Sequence, residues 1–112
     1  MIAFVVAGTL VALVLYSLSG KQLVTASEAK KLLGSVKVVD VRTPMEYRMG
    51  HYPGALNIPV TAINRRTTQR LPKSGILVYC NTGQRARFAA EKLVRLGFED
   101  VVYINGSYKT LL

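Results

Sequence analysis

Residues 76–85 read ILVYCNTGQR, and the organisation of the whole chain follows from them. Ile76, Leu77, Val78 and Tyr79 form an apolar run without alternation, as expected of a strand buried on both faces. Gly83 then permits a sharp turn, and Phe88, Ala89, Leu93 and Leu96 mark one side of a helix over about residues 84–96, closed by Gly97. Such a strand feeding a helix implies an α/β sheet of parallel type, whose sites form at the carboxyl ends of strands. Cys80, the only cysteine, falls at that place.

The elements on either side fit the same class. Ser27 is a suitable N-cap for a short helix carrying Ala29, Leu32 and Leu33, with Gly34 as its stop. Residues 36–41, VKVVDV, are a β-branched strand. Thr43, Pro44 and Glu46 spell a helix start, ended by Gly50. Residues 55–58 read as a short strand closed by Pro59, residues 60–71 as a further short helix, and residues 71–75 as a turn. Residues 101–104 make the last strand before the turn at Asn105 and Gly106. The expectation is one domain over residues 21–112, with a mostly parallel central sheet flanked by helices.

Residues 1–19 contain no charged side chain and are long enough as a helix, roughly 28 Å, to cross a bilayer. An uncleaved transmembrane anchor over residues 1–20 is the favoured reading. A cleaved signal peptide, giving an exported domain, is the alternative, although no Lys or Arg precedes Lys21; a buried core helix is a third. Lys21, Lys30 and Lys31 follow the span, which places the domain on the cytoplasmic side of a cytoplasmic membrane in a single-pass arrangement.

All charged residues therefore lie in the remaining segment, which carries the full net charge of +9. This charge suits an anionic leaflet or a small anionic substrate. Nucleic acid is not expected as a partner, since Arg65, Arg66 and Arg70 are the only dense basic cluster and lack interleaved aromatics.

A single cysteine makes no internal disulfide, no Cys-x-x-Cys pair and no zinc site, and neither metal nor cofactor is expected. Either Cys80 fills space or it reacts alone. In a turn built on Gly83, successive N–H groups can point inward as an anion-binding nest backed by a helix N-terminus, with Arg85 and Arg87 adding positive charge. Such surroundings activate thiols as nucleophiles, and they favour the reactive reading.

Three segments then carry a family resemblance. Residues 80–86, CNTGQRA, resemble the active-site loop Cys-x-x-Gly-x-Arg-Ser/Ala of single-domain rhodaneses. Residues 39–47 (VDVRTPMEY) and 50–59 (GHYPGALNIP) are similar to that family's Asp-Val-Arg and Gly-His segments, and residues 93–106 to its last helix and strand. The resemblance implies a rhodanese-like fold and a sulfurtransferase. Cys80 would accept sulfane sulfur as a persulfide, from a small anionic donor such as thiosulfate, and pass it to a thiol, cyanide or protein acceptor. It implies that the N–H groups of residues 81–85 (Asn81, Thr82, Gly83 and Gln84 before Arg85) cradle the adduct, while Arg85 shapes the loop or attracts the donor. The four residues between Cys80 and Arg85 match the sulfur-transferring loop rather than the five-residue loop of related phosphatases.

Around that loop, Asp40 and Arg42 are read either as its supports or as an ordinary strand-end ion pair. Glu46 is read as a helix cap, His51 as a hydrogen-bonding turn residue, Asn57 as a tie to backbone in that turn, and Thr82 as a hydroxyl donor to bound anion or a solvent-facing side chain. The family's Gly-Gly ending is replaced by Asn105-Gly106-Ser107-Tyr108, so the final helix is expected to be short or missing and one sheet edge poorly covered. A membrane-tethered binding or scaffold module without turnover is the alternative function.

Overall fold

A computed structural model describes residues 20–112; the apolar run at residues 1–19, and the anchor or signal expected there, lie outside the described residues. Among the described residues no helix is long and apolar enough to cross a membrane. The elements are β1 (Lys21–Val24), α1 (Ala26–Leu32), β2 (Lys37–Asp40), α2 (Pro44–Arg48), β3 (Leu56–Asn57), a 3-10 turn (Val60–Ala62), β4 (Ser74–Tyr79), α3 (Gln84–Arg95), β5 (Glu99–Ile104) and a second 3-10 turn (Tyr108–Leu111). The five strands run in the order β1-β5-β4-β2-β3, and all four pairings are parallel.

β4 is the centre of the sheet, and the pleat sorts its side chains. Ile76, Val78 and Cys80 join one apolar cluster with Ala86, Ala89, Ala90 and Leu93 of α3. Leu77 and Tyr79 join another on the opposite face, with Ala29 of α1, Ile104 and Leu111. Both faces of the sheet are thus covered, as the unbroken apolar run at residues 76–79 requires.

Several expectations need correction. β1 has no counterpart among the expected elements, because it is a short edge strand burying Val24 alone. The cap of α1 is Thr25 rather than Ser27; Thr25 and Glu28 form a reciprocal capping box, which leaves Ser27 inside the helix. Residues 60–71 are not a helix beyond the Val60–Ala62 turn. Asn64 Oδ1 accepts from the N–H groups of Arg66 and Thr67, and Thr67 Oγ1 donates back to the Ala62 carbonyl, so side chains take over the bonds a helix would use. The strand β4 begins at Ser74, inside the expected turn. Phe88 is 51% exposed, because the buried face of α3 is Ala86, Ala89, Ala90 and Leu93, spaced i, i+3, i+4 and i+7. At the carboxyl end the short 3-10 turn covers the sheet, with Leu111 buried and Tyr108 packed against the Tyr79 cluster.

Candidate active site

Cys80 leaves the carboxyl end of β4 and is 1% exposed. The loop turns at Gly83, the N-cap of α3, whose φ of +94° suits glycine. A side chain there would also collide with Asn105, which follows β5 and backs the loop. The turn brings two amides onto the thiol: Gly83 N–H donates to Cys80 Sγ at 3.1 Å and Ala86 N–H at 3.4 Å. Gly83 lies in the expected 81–85 cradle; Ala86 lies one residue past it, in the first turn of α3. The first turn of a helix carries unsatisfied amides and the positive end of its dipole, a place where bound anions are held. Thr82 and Gln84 are exposed, and with Gly83 they line a groove of about 430 Å3, shared with Leu23, Arg87, Phe88, Tyr103 and Asn105. A comparable groove of about 420 Å3 lies between α1 and the amino end of the sheet, away from the thiol.

Arg85 and Asn81 meet a residue that the sequence reading kept as a cap alone. Glu46 does cap α2, accepting from Thr43 N–H and Oγ1. Its carboxylate also accepts both forks of the Arg85 guanidinium, Nη1 to Oε1 at 2.7 Å and Nη2 to Oε2 at 3.0 Å, and Asn81 Nδ2 at 2.9 Å. One carboxylate therefore ties down the first and last loop residues after Cys80. The signal for this role was topological: β2 pairs with β4, so the loop after β2 and the loop after β4 emerge side by side.

The bonds from Arg85, with those from Thr43, hold the Glu46 carboxyl far below its ordinary 4.5; Glu46 in turn raises the Arg85 pKa. A depressed carboxyl stabilises the fold fully above its unfolded value, and the contribution is lost as pH falls through the folded one. The Tm advantage of the wild type over Glu46→Gln is therefore expected to shrink in thermal melts between about pH 6 and about pH 3. An advantage that stays constant over that interval contradicts the ion pair.

Asp40 and Arg42 do not touch the thiol. Asp40, 0% exposed, accepts from Arg42 N–H, Nε and Nη2 and from the Tyr79 hydroxyl at 2.6 Å. Arg42 Nη2 also donates to the Gly50 carbonyl, and its guanidinium lies over the tilted pair of Tyr79 and Tyr108 rings, 5.6 and 5.4 Å from their centroids. Burial, with the bond to Asp40, pushes the Tyr79 hydroxyl well above its usual range. This network clamps the residue immediately before Cys80. Asn57 Nδ2 donates to the carbonyls of Asp40 and Arg42, so it ties β2 rather than its own turn. His51 stacks on Tyr47, with Nδ1 2.7 Å from the Tyr47 carbonyl. Among the described residues no three acidic, histidine or cysteine side chains gather as a metal site.

The family model for the rhodanese-like domain matches residues 25–111. The thiosulfate sulfurtransferase PspE of Escherichia coli is 34% identical over 70 residues, which cover 61% of this chain and 67% of PspE. YrkF of Bacillus subtilis is 30% identical over 70 residues; the match spans 62% of this chain but only 38% of YrkF. The solved structure of the human single-domain sulfurtransferase TSTD1 superimposes with a TM-score of 0.63 at 29% identity, covering 81% of this chain and 95% of TSTD1.

Proposed function

Since the chain belongs to the rhodanese-like domain family, we propose that it is a sulfurtransferase that carries sulfane sulfur on Cys80. The observation that carries this reading is the Cys80 sulfur at the head of α3, held by the Gly83 and Ala86 amides. Those donors suit an anionic sulfur before and after transfer. With thiosulfate as donor, the Cys80 thiolate attacks the outer sulfur. The donor's S–S bond breaks, sulfite leaves with the bonding pair, and Cys80 becomes a persulfide anion. An acceptor nucleophile such as cyanide or a thiolate then attacks the outer sulfur, and the Cys80 thiolate is restored. Charge is conserved in each step, and no cofactor enters.

Glu46, Arg85 and Asn81 keep the loop closed around the sulfur, while Asp40, Arg42 and Tyr79 fix the strand end that presents it. Tethering to the cytoplasmic face of a membrane is part of the same proposal, supported by the uncharged run at residues 1–19 and the lysines after it. The test is the intact mass of the full chain after incubation with thiosulfate. A gain of one sulfur atom that cyanide removes is expected. No gain in folded protein shifts the reading to a binding module.

A further inference from the structure

The charge around Cys80 decides which donors reach it, and little of the nearby positive charge is free. Both terminal nitrogens of the Arg85 guanidinium are held by Glu46. That bidentate geometry is the one by which arginine would otherwise grip an oxyanion. Arg42 is buried and engaged by Asp40 and the Gly50 carbonyl. Arg87 lines the groove beside the loop, but it is exposed and lies within 3.8 Å of Glu91. An incoming donor therefore meets a neutral Glu46–Arg85 pair where Arg85 alone would have offered a cation.

We propose, on the reading of Cys80 as the sulfur acceptor, that Glu46 is a specificity-determining residue: by occupying Arg85 it favours sulfur donors with a single negative charge over the thiosulfate dianion. The same carboxylate closes the loop through Asn81 and Arg85, so its loss acts on shape as well as charge. The two effects separate by donor charge, because a loosened loop slows every donor alike. One unit of charge removed at several ångströms changes attraction by about five- to tenfold per charge on the donor.

The experiment compares thiosulfate with benzenethiosulfonate, a donor of one negative charge, using cyanide as acceptor and the full chain in non-ionic detergent. In both reactions the Cys80 thiolate takes the outer sulfur, and sulfite or benzenesulfinate leaves with the bonding pair. Glu46→Gln keeps the side-chain length and one acceptor oxygen, which serves either the Thr43 cap or Asn81, since the two bond different carboxylate oxygens. Its ratio of kcat/KM for thiosulfate to that for benzenethiosulfonate is expected to rise about tenfold over the wild type, mainly through KM.

Arg85→Gln, which leaves Glu46 charged and unpaired, is expected to move the ratio the opposite way. It also keeps the test open should Glu46→Gln fail to fold. Equal losses with both donors, or ratios that move in the same direction, overturn the proposal and leave Glu46 a purely structural clamp. A wild type active with neither donor and showing no gain of sulfur by mass overturns the assignment of Cys80 itself, and this proposal with it.

Discussion

Cys80→Ser is expected to take up no sulfur and to lose more than about 10³-fold in cyanide-dependent transfer, while remaining folded. The serine oxygen can still accept from the Gly83 and Ala86 amides, so the loop keeps its two inward bonds. What disappears is the polarisable sulfur that the proposed reading uses as nucleophile and as store for a second sulfur; no other cysteine stands in the sequence to replace it. Because the exchange is close to isosteric in a site that offers hydrogen bonds, its cost in stability is about 1 kcal/mol. Sulfur uptake by mass and a chemical melt on the same sample separate the two effects. Transfer retained at a tenth of the wild-type rate would remove Cys80 from the mechanism.

Asp40→Ala has the largest expected effect on the fold. It strips three donors of Arg42 and the hydroxyl of Tyr79 of a common acceptor inside the protein, and leaves the buried Arg42 side chain without its counter-charge. Breaking a buried pair on one side costs about 3–5 kcal/mol. A domain of this size holds about 5–14 kcal/mol in total, so the variant is expected to lose a large part of its stability in urea titrations. Asp40→Ala with Arg42→Leu is expected to recover part of the loss, since the second change removes the orphaned charge. A single-variant loss below about 1 kcal/mol would mean that water or another group already solvates Arg42.

The parts of the site that lie close along the chain were legible in the sequence. Cys80, Gly83 and the start of α3 fall within seven residues, and the turn chemistry of glycine with the dipole of a helix is written locally. The role of Glu46 was not, because its partner Arg85 is 39 residues away and the local capping box accounts fully for a glutamate three residues after Thr43. Asp40 and Arg42 were visible as a pair, yet the third member, Tyr79, looked like one more apolar residue of a buried strand; only the register of β2 against β4 sets its hydroxyl over Asp40. β1 stayed hidden because a four-residue edge strand with a single buried side chain has almost no periodic signal. Phe88 misled for the opposite reason: hydrophobicity alone placed it inward, while the three alanines of α3 let that helix sit close to the sheet and turned the ring outward.

The strand order has a consequence for how the protein comes into being. β1 is the first strand of the described chain to leave the ribosome, yet its only partner among the described residues is β5, the last. The sheet therefore cannot close until residues 99–104 have emerged, so this long-range pairing makes folding of the sheet wait for synthesis of β5. Asn105, which backs Gly83, arrives in the same final step. Nascent chains cut short before β5 thus contain Cys80 and the whole loop but lack its backing, which arrives only with completion of that strand.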